Sequence, residues 1–330
     1  MNIAAFIWGR HPSATYRAVA PMTTLARRGN LVASYELEDP APTDDELATI
    51  VADFDVAFFS RFDERDEAVR TARRLSERGM PLVWDYDDDV VRPERRATFD
   101  AMKETVDVIT TTNDTLADRY REMGARAVVP IPNFLTRPSL SHPRRRHEGT
   151  VLGYIGWVDH QDDWDRLGLR EVVEDLLDVH GDLRVECAGP LDLGLPERCH
   201  SYGALAFHQL PQAIAGFDLA IAPLVDKPGN ATRSDIKLKE YAVVGVPWLA
   251  SDYGPYAGYG EDQGGRLVAD DGWFDAINDL LCDGKAQRKL AKRGQKWAKD
   301  LTLDRNASSW LDALNEAVAL ADERRGARAA

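Results

Sequence analysis

Residues Asn230–Tyr256, NATRSDIKLKEYAVVGVPWLASDYGPY, decide how the rest of the chain is read. Ser234 reads as an N-cap and Gly245 as the residue just past the end of a helix, which sets Arg233, Lys237 and Lys239 at or near the helix's positive end. The macrodipole alone disfavours cations there, so the arrangement predicts an anion. A phosphate group, held by free N–H groups and the dipole together, is the usual occupant. Glu240 shares a face with Ile236 and Val244 at i, i+4, i+8 spacing. A carboxylate on that stripe calls for a hydroxyl or a cation, because an unpaired buried charge is costly. A surface network of Asp235, Lys237 and Glu240 is the plain alternative. The residues beyond the helix favour the ligand. Val246–Ala250 reads as a buried strand and Ser251–Tyr256 as a Gly/Pro-punctuated turn at its carboxyl end. Doubly wound sheets take their ligands outside the carboxyl ends of strands.

Apolar runs alternate with amphipathic segments along the whole chain, the pattern of repeated βα units and a parallel sheet in each half. Strands are predicted near Asn2–Trp8, Leu31–Tyr35, Val56–Ser60, Leu82–Trp84, Val106–Thr110 and Ala127–Ile131 in the first half. In the second half they are predicted near Val151–Ile155, Leu183–Ala188, Leu219–Ala222, Val246–Ala250 and Arg266–Val268. The stretch TRPSLSHPRRRHEG, Thr136–Gly149, is polar, carries two prolines and lacks hydrophobic periodicity, which makes it the best linker. The expected division is a first domain over 1–137, a linker over 138–149 and a second domain over 150–303. The last segment, Asp304–Ala321, places Leu311, Leu314, Val318 and Ala321 on a helical stripe.

The 330 residues suit two domains, and 44% hydrophobic with 29% charged residues is the composition of a soluble globular protein. No apolar run approaches membrane-spanning length, and Cys187, Cys199 and Cys282 are odd in number without ligand spacing. A reducing cytoplasm with free thiols is the expectation. A net charge of −14 opposes generic binding to polyanions, and Arg144–Arg146 and the Arg70, Arg73, Arg74 cluster read as solvated surface.

The segment SDIKLKEYAVVGVPWLASDYGPY resembles the donor-nucleotide segment of GT-B glycosyltransferases, specifically the large, mostly retaining "group 1" family that uses nucleotide-diphosphate sugars. The resemblance is close over this stretch and loose over most of the chain. It implies two Rossmann-like, doubly wound parallel-sheet domains facing each other across a cleft, with a C-terminal helix over 304–323 crossing back to complete the first. A plain amphipathic helix on the second domain is the alternative for that last segment. The resemblance also implies that Arg233, Ser234 and Lys237 meet the donor diphosphate and that Glu240 binds the ribose hydroxyls. The family commonly has a second Glu eight positions before the ribose Glu; Thr232 stands there, which passes the sugar contact to Thr232 itself, Asn230 or Asp226.

Gly153–His160, GYIGWVDH, matches the first strand and turn of the second domain, where GT-B enzymes bring a glycine backbone close to the diphosphate, here Gly156. The family's Arg and Lys after this glycine are missing, which puts more weight on Arg233 and Lys237. His160 is a candidate sugar contact or proton carrier, against the ordinary reading of a lone loop histidine. Gly189-Pro190 and Pro223-Leu224 likewise mark strand ends.

Asp85-Tyr86-Asp87-Asp88-Asp89 follows the apolar run Pro81–Trp84, so four carboxylates cluster at the end of a predicted central strand. Such crowding is expensive unless a cation, an arginine or shared protons relieve it. An exposed acidic turn capping the next helix is the plain reading. A phosphatase of the haloacid dehalogenase class also begins with Asp-x-Asp after a strand, but the Gly-Thr-type residues it wants next are absent. The run resembles one in a subset of bacterial and phage group 1 glycosyltransferases, which makes Asp85 and Asp87 candidate catalytic residues toward the acceptor hydroxyl and Asp88 a weaker one. Gly9-Arg10-His11-Pro12-Ser13 lacks the dinucleotide fingerprint. With Tyr16-Arg17 and the later Pro21 it resembles the same subset, so Arg10, Tyr16, Arg17 and, past the next strand, Arg61 are acceptor-side candidates.

The implied activity is sugar transfer from a nucleotide-diphosphate donor to an acceptor hydroxyl, with retention, without metal and without a cofactor, Arg233 and Lys237 neutralising the leaving group. The acceptor class stays open among glycan, small molecule and modified DNA base. A phage-type transferase acting on a hydroxylated DNA base and a non-catalytic nucleotide-sugar-binding protein are the alternatives.

Overall fold

The computed structural model describes residues 1–9, 12–36, 42–62, 66–90, 93–140, 142–194 and 198–329. The chain forms two compact units. One holds Met1–Asn133 together with Leu303–Ala330, the other Phe134–Thr302.

The first unit is built on β1 (Asn2–Ile7), β2 (Leu31–Glu36), β3 (Val56–Phe59), β4 (Leu82–Asp85), β5 (Val108–Thr111) and β6 (Val128–Pro130). These pair in parallel in the order β2-β1-β3-β4-β5-β6. Every residue of β3, β4 and β5 is buried, as expected where helices cover both faces of a parallel sheet, whereas β2 at the edge has only exposed and half-buried residues. Phe6 and Phe59 stack at 4.6 Å between ring centroids, and Trp84, Tyr86, Phe99 and Tyr120 continue the aromatic core on the same unit.

The helix Ser308–Ala329 belongs to this first unit and packs on β3, β4 and β5. Its buried face runs through Trp310, Ala313, Leu314, Ala317 and Ala321, while Leu311 and Val318 fall on the flanks. The stripe is therefore rotated from the one predicted, because small alanines let the helix approach the sheet. Trp310 meets Phe58 edge-on at 6.0 Å, and Arg324 reaches Ser76, the Met80 carbonyl and Asp107.

The second unit carries β7 (Thr150–Tyr154), β8 (Leu183–Cys187), β9 (Cys199–Ser201), β10 (Leu219–Ala222), β11 (Trp248–Ser251) and β12 (Gly265–Val268). Their order is β9-β8-β7-β10-β11-β12, again all parallel. Counted within the unit, this is the 3-2-1-4-5-6 order of dinucleotide-binding sheets. Among the described residues, the short polar β9 at the edge is the one strand that the apolar runs do not announce. The unit also begins ahead of the predicted linker. Leu135 bridges to Thr302, the Arg145 N–H donates to the Ala215 carbonyl at 2.7 Å, and Arg144 donates to the Phe217 carbonyl at 2.7 Å, so this polar stretch is held on the second unit. Among the described residues, no helix is long and apolar enough to cross a membrane.

Candidate functional site

In the second unit the strand order reverses between β7 and β10, the place where open parallel sheets take their ligands at the carboxyl ends of the strands. After β7 comes Gly156, then the helical turn Val158–His160, which continues into the helix Gln161–Arg166. After β10 the chain passes Lys227 and the short helix Pro228–Ala231 before the helix Ile236–Val244. Gly156, Asp159, His160 and Asp163 thus come from one side of the reversal, and Lys227, Asn230, Arg233 and Lys237 from the other.

These side chains form one connected network. Asp163 is fully buried. Its Oδ1 accepts from Asn230 Nδ2 at 2.6 Å and from the Val225 N–H at 3.3 Å, and lies 2.9 Å from Lys227 Nζ. Its Oδ2 lies 3.2 Å from His160 Nδ1. The other ring nitrogen, Nε2, lies 2.9 Å from Lys237 Nζ. Lys237 Nζ also sits 5.1 Å from the centre of the Tyr154 ring. Arg233 donates through Nε to Asn230 Oδ1 at 2.8 Å and through Nη2 to Asp159 at 2.7 Å.

The charges respond to this packing. Burial and the Arg233 cation bring the Lys237 ammonium down to about 7. Burial and the Lys237 charge take His160 down to about 4. For Asp163, burial works upward but is outweighed by the hydrogen bonds from His160, Lys227, Asn230 and the Val225 N–H, so the carboxylate stays ionised well below its ordinary range. The site thus holds Arg233 as a fixed cation beside a lysine whose charge is poised to change.

Of the residues read toward the donor, Arg233, Lys237, Asn230 and His160 meet in this network. The helix begins at Ile236 with Asp235 as its N-cap, and Ser234 Oγ accepts from the Ile236 N–H at 3.3 Å, so the start lies one residue later than the sequence suggests. Gly245 ends it in the left-handed conformation, as expected. Lys239 is buried and pairs with Asp235 at 2.7 Å. Glu240 is 1% exposed and accepts from Ser139 Oγ at 2.9 Å. Asn230, one of the candidate sugar contacts, is fully buried, with both amide ends used by Asp163, Val225 and Arg233, and so holds the network together. Thr232 is buried too, its hydroxyl directed at the Gly229 carbonyl. Gly156 and Gly189 bring the turns after β7 and β8 together: a Cβ on Gly189 would fall 1.7 Å from the Gly156 carbonyl oxygen.

In the first unit the order reverses between β1 and β3. Here arginines relieve the crowded carboxylates. Asp85, at the end of β4, is fully buried; Arg17 reaches it with Nη2 at 2.7 Å and Nε at 3.2 Å, and Thr110 Oγ1 donates to it at 2.7 Å. Burial pushes the Asp85 carboxyl up to about 6 against the pull of Arg17 and Thr110. Asp87 accepts from Ser13 Oγ at 2.5 Å and lies 3.7 Å from Arg61. Asp88 pairs with Arg61 at 2.5 Å and Arg95 at 2.9 Å, and Asp89 with Arg119. Arg17 itself is 1% exposed, in the wide turn Thr15–Val19, with its guanidinium 4.7 Å from the Trp310 ring centre. Asp85 and Arg17, both read toward the acceptor, thus form an internal ion pair, with Thr110 completing the carboxylate and the Ile131 and Thr111 carbonyls and Asn133 completing the guanidinium. Tyr16, also read toward the acceptor, is buried at 7% exposure. Asp87, Asp88 and Arg61 stay partly accessible, and Arg10 lies outside the described residues.

Sequence reading missed Asp163, Asp159, Lys227, Ser139 and Arg95. Asp163 had a local signal, since His160 and Asp163 are three apart on a helical turn and therefore neighbours. Ser139 and Arg95 had none: their partners lie far along the chain or on another element.

No family model matches the chain, and neither does any curated protein. Solved structures do. HepE (Alr3699) from Anabaena, crystallised with UDP and glucose, aligns over 96% of this chain and 99% of its own, with 14% identity and a TM-score of 0.70. Sucrose-phosphate synthase from Thermosynechococcus elongatus aligns over 97% of this chain and all (100%) of its own, with 13% identity and a TM-score of 0.69. A Listeria monocytogenes protein assigned as a UDP-N-acetylglucosamine 2-epimerase aligns over 91% of this chain and 94% of its own, with 13% identity and a TM-score of 0.58. At such identities the likeness is one of fold, and the two parallel, doubly wound units of this chain have the GT-B fold that its sequence led one to expect.

Proposed function

We propose that the chain is a glycosyltransferase that moves a sugar from a nucleotide-diphosphate donor to an acceptor hydroxyl. The observation that carries this reading is the placement of Arg233 and Lys237 at the reversal of the second sheet, ahead of and within the first turn of the Ile236–Val244 helix. Glu240 stands three residues beyond Lys237 and so shares its side of the helix. In this reading Arg233, Ser234, Lys237 and the helix N–H groups take the diphosphate, Gly156 lets the backbone come close to it, and Glu240 takes the ribose. UDP is the first nucleotide to try, because HepE is crystallised with UDP and with UDP-glucose.

Transfer requires that negative charge growing on the departing diphosphate be met at once. Arg233 supplies a permanent charge and Lys237 one that the arriving phosphate itself favours. Two protein cations make a metal unnecessary in this mechanism. Retention of configuration is the outcome we assign, with the leaving phosphate taking the acceptor proton. Asp87, Asp88 and Arg61 on the first unit are the acceptor-side groups we retain. We place the reaction in the cytoplasm, which suits the free thiols of Cys187, Cys199 and Cys282.

Calorimetric titration of UDP, GDP, ADP and dTDP against wild type and Lys237→Ala tests the donor site. A loss of about 10- to 100-fold for one nucleotide is expected, the size of a hydrogen bond to a charged group. Equal affinity for every nucleotide in both proteins overturns the assignment. Turnover of the bound nucleotide's sugars with EDTA present checks metal independence, and the anomeric proton of the product checks retention. Isomerised donor with no acceptor consumed would instead place the chain with the epimerase of like fold.

A further inference from the structure

We infer that Asp163 is a positioning residue for the diphosphate site: its buried carboxylate fixes His160 in the Nδ1–H tautomer, so that Nε2 offers a lone pair to Lys237 and ties down one of its N–H groups. The inference rests on the donor reading only for its consequence in binding.

The donors around Asp163 determine the tautomer. Oδ1 faces Asn230 Nδ2, Lys227 Nζ and the Val225 N–H, all of which donate. A carboxylate so held accepts only, so the His160 nitrogen 3.2 Å from Oδ2 must carry the proton. In a neutral ring Nε2 is then an acceptor, and it lies 2.9 Å from Lys237 Nζ, which only donates while charged. The opposite tautomer would set an N–H against the ammonium. A charged ring would do the same, and would also face Arg233; Asp159 and Asp163 are the anions nearby that oppose this. Burial and the Lys237 charge hold the ring neutral down to about pH 4. Tyr154 closes the arrangement from β7, edge-on to His160 at 6.5 Å and with its ring centre 5.1 Å from Lys237 Nζ. Cys187 on β8 adds to the surroundings of Lys237 as a protonated thiol, which burial raises to about 11.

Asparagine at this position would not be equivalent. Its amide oxygen would turn to the donors on the Oδ1 side, and its NH2 would meet His160 Nδ1. That selects the Nε2–H tautomer and places a donor against Lys237, the same orienting logic by which a carboxylate sets a histidine in a hydrolase triad.

The test begins with the unliganded full chain, labelled with 13C and 15N at histidine, the His160 signals being assigned as those lost in His160→Gln. Chemical shifts are expected to report Nδ1–H and a ring that does not titrate between about pH 8 and pH 5. An Nε2–H ring, or one titrating near the ordinary histidine value, overturns the inference. Asp163→Asn is then expected to invert the tautomer and weaken UDP and inorganic pyrophosphate at least about tenfold. Unchanged affinity with an inverted tautomer would remove the positioning role. Should Asp163→Asn fail to fold, His160→Gln and His160→Leu decide. Gln can donate to Asp163 and accept from Lys237, so it should keep affinity within about threefold while Leu loses it; equal loss in both overturns the inference. The tautomer of the unliganded protein settles the Asp163–His160 link on its own, whereas failure of wild type to bind either probe counts against the donor reading.

Discussion

Arg17 and Asp85 form a buried ion pair, 2.7 Å from Nη2 to Oδ1, with 1% and 0% of their side chains exposed. The remaining donors of Arg17 are used by Ile131, Asn133 and Thr111, and its face by Trp310 of the last helix. The pair therefore ties the helix Ser308–Ala329 to the carboxyl ends of β4 and β5. Removing one partner leaves the other charged and buried. Asp85→Ala is expected to cost about 3–5 kcal/mol in unfolding free energy, with UDP binding by the folded fraction unchanged. Urea unfolding beside UDP titration checks this; a stable variant without turnover would restore Asp85 to a catalytic role.

Glu240 is held in place by Ser139, which donates to it at 2.9 Å. If it reads ribose, Glu240→Ala should remove discrimination between UDP and 2′,3′-dideoxy-UDP and weaken UDP by about 1.5–3 kcal/mol, the range for hydrogen bonds to a charged group. Ser139→Ala should leave that discrimination in place. Equal discrimination in wild type and Glu240→Ala would show that the carboxylate does not contact the sugar.

Much of this arrangement is legible in the sequence because it rests on local rules. The central strands announce themselves as apolar runs, and Gly245 marks the end of the helix through the backbone conformation only glycine takes cheaply. β9, with the three residues Cys199–Ser201, has no such run. The polarity of Thr136–Gly149 indicates exposure but not which unit the segment lies on. Four neighbouring carboxylates require cations, yet nothing local says that Arg17, 68 residues from Asp85, supplies one. The position of Lys237 in the first turn of a helix is legible because caps and glycine stops are local signals; Asn230 could not be recognised as structural, since an amide's burial depends on Asp163, which lies 67 residues away.

The depressed Lys237 value gives the protein a specific pH dependence. The folded lysine gives up its proton near 7, the unfolded one near 10.5. Between these the unfolded chain binds more protons, so this group's contribution to stability rises with pH across that window and is flat below it. His160 adds an acid limb, because its ring binds a proton near 6.5 when unfolded and near 4 when folded, and stability falls as pH drops between them. The urea midpoint should rise from about pH 7 to pH 9 in wild type relative to Lys237→Met. UDP works against the amine form, so binding at about pH 8.5 should take up protons, measured by calorimetry in two buffers of different ionisation enthalpy. No uptake would mean that Lys237 is already charged.

The approach of two backbones places the turn after β7, and this can be tested without touching any polar group. Gly189 has φ +149, and a Cβ there would fall 1.7 Å from the Gly156 oxygen, while its own carbonyl is held by Ser201 Oγ at 2.6 Å. Gly189→Ala can be accommodated only by moving one of these two turns, the one at Gly156 leading on to Asp159 and His160. Strain and overpacking together should cost about 2–5 kcal/mol and weaken UDP binding. Gly156→Ala is a milder change, since its Cβ would meet the Tyr154 ring at 2.7 Å and the Leu191 side chain at 3.1 Å. Moving Tyr154 disturbs the ring against Lys237 Nζ, so this variant should lose UDP affinity out of proportion to its small stability change. Retention of both the urea midpoint and UDP affinity in Gly189→Ala would mean that some other contact holds the turn in place.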